Sequence, residues 1–401
     1  KKFEPFKVQF NKIHCDRLIG KSIPETTIKF ILDTLDIKLI EQNGDDWLLE
    51  VPQYRADVRR EADVIEEILR IYGFNNIEVP EKIHSSISYS LAVEPEKIKQ
   101  RISDFLASRG FNEMMANSLT SDRYVLDFKS EGLDPNALVK IVNPLSGDLN
   151  VMRQTLLFNG LEAVAYNQNR QHPDLMLFEF GNVYRHSEDY SENFRLAIYL
   201  SGKTQPNNWN KPAREFTFFD LKGEINAVLK RLGLLGTIDE HSANWKLFDD
   251  GMQYAVKNKT LVYFGVVSKQ LNKQFDIREN VFYADFDWDY LLKLLRRKKK
   301  IEIKELPKFP SVRRDLSLLV NKDISFKSIR DLAFKTERKY LKSVELFDVY
   351  EGRGMEPGKK SYAVSFVLQD RAKTLNDKVI DKAMQRIQQS LEKELDSRLR
   401  G

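Results

Sequence analysis

Four acidic residues near the start of the chain have a spacing that could serve metal chemistry. Asp63, Glu66 and Glu67 stand at positions i, i+3 and i+4 of an expected helix, so their carboxylates share one face, and Asp57 lies just upstream. Clustered carboxylates repel unless a positive group lies between them, and their oxygen atoms suit Mg²⁺. On spacing alone a solvated acidic face is the favoured interpretation. In that interpretation Asp57 caps the helix, and three arginines are the ion-pair partners, namely Arg59, Arg60 and Arg70.

The other end of the chain carries the positive charge. From residue 291 onwards 28 Lys and Arg residues face 16 Asp and Glu residues, a balance of +12, whereas the preceding residues have a balance of −7. A basic end on an acidic body suggests that the end faces a polyanion. A solvated surface explains the same composition equally well.

Aromatic residues accompany these basic residues on expected strands. Ferredoxin-like sheets that bind RNA expose aromatic rings for base stacking among basic side chains. The available aromatic residues are Phe309, Phe347, Tyr350, Tyr362 and Phe366, and the neighbouring basic residues are Arg313, Arg314, Arg353, Lys359 and Lys360. Because side chains alternate between the two faces of a strand, some of these rings must belong to the core.

Several kinds of active site are absent from the sequence. There is no phosphate-binding loop, no strand-linked G-x-G-x-x-G and no G-x-S-x-G nucleophile elbow. The single cysteine, Cys15, excludes disulfides and cysteine-based zinc sites within the chain, and we interpret it as a buried structural thiol. A chain with a single cysteine indicates a reducing, cytoplasmic setting. No apolar stretch approaches the length of a membrane span, so we expect no membrane.

The expected elements divide the chain into three domains of the α+β class. Residues 1–80 predict a helix over 22–35, a hairpin with strands at 37–40 and 47–51, and a second helix that ends at Gly73. A polar linker over 81–90 precedes a larger α+β block over 91–295, which ends before the basic run 296–300. Residues 306–401 alternate as β-α-β-β-α, with a final helix over 376–399. This order fits a ferredoxin-like sandwich if one more edge strand exists.

Specific strings then resemble one family. Residues 307–315, 347–352 and 360–377 resemble the ferredoxin-fold anticodon-binding domain that closes the β subunit of bacterial phenylalanine–tRNA ligases. Residues 51–57, 61–68 and 70–73 resemble the small domain after the editing domain of that subunit. Residues 143–146, 152–157, 167–170 and 177–181 resemble its catalytic-like module, which shares the antiparallel sheet of class II synthetases. The class II signature G-x-G-x-x-x-R is not found, which favours a structural role for this module.

The resemblance implies a function for the chain. In the family, four carboxylates bind a Mg²⁺ ion shared with the catalytic α subunit, and they correspond to Asp57, Asp63, Glu66 and Glu67. The α subunit uses ATP and phenylalanine to charge tRNA, within an assembly of two α and two β subunits. This chain would be the non-catalytic partner, with no catalytic residues of its own. We expect four basic residues to attract tRNA phosphates, namely Arg313, Arg314, Lys359 and Lys360.

Two further expectations follow. The first residue is Lys1, and the family's N-terminal tRNA-binding and editing domains have no counterpart, so we expect a C-terminal fragment that does not edit mischarged tRNA. The alternative function is a stand-alone RNA-binding or adaptor protein that reuses synthetase domains. An independent metal-dependent enzyme is disfavoured, because no nucleophile or base accompanies the carboxylates.

Overall fold

The structure is a computed structural model that describes residues 4–79, 94–128, 132–243, 245–297, 305–352 and 355–399. The chain divides into two compact units, residues 1–92 and 93–401. The expected linker at 81–90 and residues 298–300 of the basic run lie outside the described residues. None of the helices in the described ranges is long and apolar enough to cross a membrane.

The first unit packs helices on a small antiparallel sheet. In its described part the strand order is β1 (Phe6–Asn11), β3 (Asp46–Val51) and β2 (Lys38–Asn43). The helices are α1 (Lys12–Ile19), α2 (Glu25–Thr34) and α3 (Glu61–Tyr72). Alternate residues of β1 and β3, such as Phe10 and Trp47, bury their side chains in one core. The sequence analysis predicted α2, the hairpin and α3 but did not predict β1 and α1.

The prediction that Asp57 caps α3 was wrong. The helix begins at Glu61, and Asp57 lies before it in the loop. Asp63, in the first turn, instead accepts hydrogen bonds from the backbone N–H groups of Arg60 at 2.9 Å and Arg59 at 3.1 Å. The Arg60 N–H, at the N-cap, is one of the donors that a helix leaves unsatisfied at its start. The predicted end at Gly73 was right, since this residue has a φ of 92° and donates its N–H to the Leu69 carbonyl.

The second unit contains a large, mostly antiparallel sheet. Its strand order is β4-β7-β8-β12-β11-β10-β9 among the described residues, and only β4 and β7 are parallel there. The strands of this sheet are β4 (Asn112–Glu113), β7 (Leu175–His186), β8 (Tyr190–Ser201), β9 (Asp239–Ser242), β10 (Phe248–Val256), β11 (Lys259–Val267) and β12 (Val281–Asp287). A separate pair joins β5 (Leu119–Thr120) to β6 (Val151–Met152).

Helices cover both faces of this sheet. On one face the core includes residues of α4 (Pro95–Ser108), α7 (Phe218–Arg231) and α9 (Trp288–Arg297). On the other face it includes residues of α5 (Arg123–Asp127), α6 (Leu157–Gln168) and α8 (Lys269–Gln274). Gly160 lets α6 lie directly on the sheet, because a Cβ at this position would come within 2.1 Å of the Tyr199 ring. A buried ion pair, Arg153 to Glu179 at 2.8 Å, joins the segment after β6 to β7.

The C-terminal part is the ferredoxin-like sandwich that the sequence predicts. Its sheet has the order β14-β15-β13-β16, and its elements in chain order are β13 (Val312–Asn321), α10 (Phe326–Thr336), β14 (Leu341–Tyr350), β15 (Lys359–Leu368), α11 (Asp377–Leu395) and β16 (Arg398–Leu399). The predicted final helix was too long. It ends at Leu395 because Asp396 turns into the left-handed region at φ 47°. The residues that follow form β16, the missing fourth strand.

Candidate functional site

The amphipathic pattern of α3 decides which of its carboxylates reach the surface. Val64, Ile65 and Ile68 are buried in the core of the first unit, so Asp63, Glu66 and Glu67 lie on the outer side of the helix. Arg60 binds Asp63 through two nitrogen atoms, with the shorter distance, from Nη2 to Oδ1, being 2.9 Å. This contact, with the backbone N–H groups at the helix start, lowers the pKa of Asp63 to about 2.

Two arginine side chains also contact Glu67. Glu67 accepts from Arg55 at 3.1 Å and from Arg70 at 2.7 Å. The pKa of Arg70 is raised, first by its hydrogen bond with Glu67 and then by the charges of Glu67, Glu66 and Asp57. Three of the four carboxylates therefore act on one guanidinium group. Glu66 and Asp57 accept no hydrogen bond from any described residue.

This arrangement does not fit a metal ion on its own. In the ranges that the structure describes, no three His, Cys, Asp or Glu side chains lie in a group that could hold one. The positive group among the carboxylates is guanidinium, so the expected pairing with Arg60 and Arg70 is confirmed. Arg59 was expected as a third partner and is not one, because its guanidinium lies over the Phe6 ring at 4.9 Å. Arg55 was missed because helical spacing rules do not reach a residue in a preceding loop.

The sheet of the C-terminal sandwich has one face against the helices and one open face. Phe366 and Val364 of β15 and Leu318 and Val320 of β13 are buried in the core with residues of α10 and α11. Since side chains alternate, residues such as Ser317 and Ser365 point to the opposite, open face. This open face presents side chains of β13, β14 and β15 without a covering helix in the described residues.

The four basic residues expected to attract tRNA are divided between these two faces. Arg313 pairs in register with Val367, and Lys359 with Asn321, which places both on the open face. Arg314 pairs with the core residue Phe366, and Lys360 with the core residue Val320, which places these two on the helix side. The four residues, which form two adjacent pairs in the sequence, therefore do not form a single patch.

Each basic side chain has a partner that sequence reasoning did not identify. On the open face, Arg313 binds Asp315 at 2.8 Å and Lys359 lies 3.2 Å from Glu356. On the helix side the contacts are Arg314 with Asp377 at 3.4 Å, and Lys360 over the Tyr362 ring at 4.7 Å. Lys360 is largely buried, at 8% exposure. Arg313, with 58% of its side chain exposed, is therefore the best placed of the four for an external anion, whereas Lys359 is only 14% exposed.

One exposed ring, Phe347, lies beside Arg313, and a second, Tyr350, lies farther along the sheet, where it pairs in register with Ser361. Phe347 is 55% exposed and Tyr350 is 39% exposed, whereas Tyr362 and Phe366 belong to the core. The Arg313 guanidinium lies 5.2 Å from the Phe347 ring centroid. Arg353 lies outside the described residues. Exposed rings beside cationic groups are a combination that binds unpaired bases and phosphates.

Comparisons with known proteins agree with the sequence motifs. The "Phenylalanyl tRNA synthetase beta chain CLM domain" matches residues 84–288, the "Ferredoxin-fold anticodon binding domain" residues 307–400, and the "tRNA synthetase B5 domain" residues 8–74. The phenylalanine–tRNA ligase beta subunit of Bacteroides thetaiotaomicron is 44% identical over 99% of this chain and 50% of its own length. That of Porphyromonas gingivalis is 40% identical over 98% of this chain and 49% of its own.

The chain spans about half the length of these curated relatives. A solved structure, pyrrolysyl-tRNA synthetase from Desulfitobacterium hafniense, aligns at a TM-score of 0.39 and 14% identity over 51% of this chain and 70% of its own, a likeness too distant to support an argument. The family model for the CLM domain alone covers half of the chain, and the other two models flank it. The chain belongs to the phenylalanyl-tRNA synthetase beta chain family.

Proposed function

We propose that this chain is the non-catalytic β component of a phenylalanine–tRNA ligase and that it binds tRNA through its C-terminal sandwich. The observation that carries the proposal is the open sheet face, where Arg313 lies over the exposed Phe347 ring and Lys359 lies on the same face. The match of this sandwich to an anticodon-binding domain supports the same function. RNA loops with unstacked bases are the natural ligands of such a surface.

The proposal assigns the chemistry to a partner. An α subunit would bind ATP and phenylalanine and charge the tRNA, in a cytoplasmic assembly of two α and two β subunits. This chain would contribute three domains, over residues 1–80, 91–295 and 306–401. The absence of a class II arginine signature from the sequence supports a scaffolding role for the middle domain.

We further propose that Asp57, Asp63, Glu66 and Glu67 hold a Mg²⁺ ion jointly with the α subunit. All four acids stand at the spacing of the family motif. Glu66 and Asp57, which accept no hydrogen bond from described residues, are the members open to a cation supplied with a partner. Because arginines hold the other two, the docked subunit must supply the remaining ligands or draw these arginines away.

Filter binding of tRNA at several salt concentrations tests the RNA part of the proposal. Replacement of Arg313, Arg314, Lys359 and Lys360 by Glu in the full chain should weaken binding. The dependence of log K on log salt should also flatten, because each lost phosphate contact removes about 0.7–0.9 from the slope. An unchanged slope in a variant that melts like the parent would reject this assignment.

A further inference from the structure

A cavity of about 260 Å³ lies on one face of the large sheet, outside both sites described above. Its floor is a row of side chains from three neighbouring strands, since Gln253 pairs in register with Tyr263, and Tyr263 with Asp285. Arg185 and Arg195, from β7 and β8, complete the floor, and Trp245 forms a wall. The volume is near the lower end for small-molecule sites.

The charges that line the cavity do not balance. Arg195 binds Asp285 at 3.3 Å, and the second oxygen of Asp285 accepts from the Tyr283 hydroxyl at 3.1 Å. Among the described residues, Arg185 donates only to the neutral carbonyl oxygen of Gly132. The described lining therefore has two guanidinium groups and one carboxylate.

Nearby carboxylates offset part of this excess. Asp134, outside the cavity lining, and Asp285 act on Arg185, whereas Asp285 and Asp287 act on Arg195, and Asp287 is itself paired with Lys259 at 3.1 Å. Burial nevertheless lowers the pKa of Arg185, and the charge of Arg195 lowers it further. An anion bound between the two guanidinium groups would offset their mutual repulsion.

Lining side chains also carry unused hydrogen-bond donors. Among the described residues, Arg195 Nε and Trp245 Nε1 are buried without a hydrogen-bond partner. Such groups are rare in folded proteins, and each requires an explanation. Both donors belong to side chains that line the cavity. A small rotation of the Trp245 ring or the Arg195 guanidinium would bring its donor within reach of an acceptor bound in the cavity.

The remaining lining combines two aromatic rings with polar side chains, namely Gln154, Thr155, Ser242 and Gln253. The Trp245 and Tyr263 rings lie with their centroids 6.1 Å apart at 39°, and Phe248 packs edge-on against Trp245. A planar ring fits against such walls better than a hydrated phosphate does. Two arginines at one side and aromatic rings at the other match a ligand with a carboxylate at one end and a ring at the other.

We propose that this cavity binds a small aromatic carboxylate, with its carboxylate on Arg185 and Arg195 and its ring against Trp245 and Tyr263. The proposal concerns a second ligand site on the chain and does not depend on tRNA binding or on the carboxylate cluster of the first unit.

Calorimetric titration of the full chain with benzoate tests the proposal, with benzamide, cyclohexanecarboxylate and inorganic phosphate as comparison probes. Benzoate should bind, and the other three should bind at least about tenfold more weakly, because each lacks the charge, the flat ring or both. Equal or tighter binding of phosphate would overturn the proposal in favour of a general anion site. Absence of benzoate binding would overturn it as well.

Two variants locate the site. Arg185→Gln should weaken benzoate binding by about tenfold or more. Benzoate should change the tryptophan fluorescence of the parent, and Trp245→Phe should remove this change. Arg170→Gln, on an exposed arginine of the same domain that stacks on Tyr166, is the matched control and should bind like the parent. If Arg185→Gln unfolds, Trp245→Phe still decides, because an unchanged fluorescence response would place benzoate elsewhere and contradict the assignment.

Discussion

Arg313 and Phe347, from two different strands of the C-terminal sheet, meet on its open face with the guanidinium carbon 5.2 Å from the ring centroid. Asp315 holds the same guanidinium from the side at 2.8 Å. The ring is thus kept beside a charged group while more than half of it stays exposed. A base that stacks on Phe347 would lie within reach of a positive charge for its phosphate.

The two sheet faces should contribute unequally to tRNA binding. Replacing Arg313 and Lys359 by Glu should reduce affinity more than replacing Lys378 and Lys382, two exposed lysines of α11 on the opposite side of the sheet. Both double variants change the net charge equally, so a general electrostatic effect cancels. Filter binding at 50 to 200 mM salt should show a slope smaller by about 1.5 for the first variant only. Equal losses would mean that the open face is not the contact surface.

Asp57 and Glu66, the two carboxylates of the cluster that accept no hydrogen bond from described residues, should contribute to assembly with the α subunit. Asp57→Asn with Glu66→Gln should weaken docking of the α subunit or lower the Mg²⁺ content of the complex by about tenfold, since each loses a charged oxygen ligand. Asp33→Asn with Asp45→Asn, at exposed positions of the same unit, is the control for lost negative charge. Size-exclusion chromatography and metal analysis of the complex measure both effects. A complex that retains its metal and its stability would identify the cluster as a solvated face.

Cys15 should be inert in the folded protein. Burial, followed by the charge of Asp16, raises the pKa of this thiol from 9.0 to about 12. The native state therefore favours the protonated thiol, and this contribution to stability is fully present below pH 9 and is lost as the pH rises towards 12. At pH 8.5 the thiolate fraction should be about a thousandfold smaller than in the unfolded chain. Ellman's reagent should label the single cysteine only after urea is added, and rapid labelling of the native chain would contradict the buried position.

The ion pair between Arg153 and Glu179 should be costly to break. Both side chains are nearly inaccessible, and Glu179 also accepts from the Ala116 N–H at 3.2 Å. Arg153→Met leaves a buried carboxylate without its cation, which should destabilise the surrounding domain by about 3–5 kcal/mol. Urea unfolding measures this, with Arg214→Met, which breaks an exposed pair with Asp220, as the control expected to cost less than about 1 kcal/mol. Similar midpoints for the two variants would be inconsistent with the buried geometry.

Local patterns in the sequence were sufficient for much of the fold. The alternation of residues in β13, β14 and β15 and the amphipathic pattern of α10 and α11 fixed the ferredoxin-like order, because each signal lies within one element. The strand β1 was missed although Val8 and Phe10 are buried at period two, because so short an alternation is weak evidence alone. The end of α11 was missed because neither Gly nor Pro marks it, and Asp396 takes the left-handed conformation instead.

The candidate sites were less accessible to sequence reasoning. Spacing singled out the four acids and the family motif implied their metal-binding role, but helix spacing could reveal only the nearby arginines and not Arg55, whose contact with Glu67 depends on a loop. Likewise the separation of Arg313 from Arg314 follows from strand alternation, which was applied to the aromatic residues and not to the basic ones. The floor of the cavity on the large sheet combines five strands and a loop supplies its wall, and no local pattern brings such residues together.

Co-expression of this chain with the matching α subunit, followed by an assay of phenylalanine-dependent tRNA charging, tests the central claim most directly. The account predicts that the two chains purify as one complex and that the complex charges tRNA, whereas this chain alone does not. If the chain binds tRNA but neither associates with the α subunit nor supports charging, even when it is joined to the part of a curated relative that it does not span, the assignment as a synthetase component is contradicted.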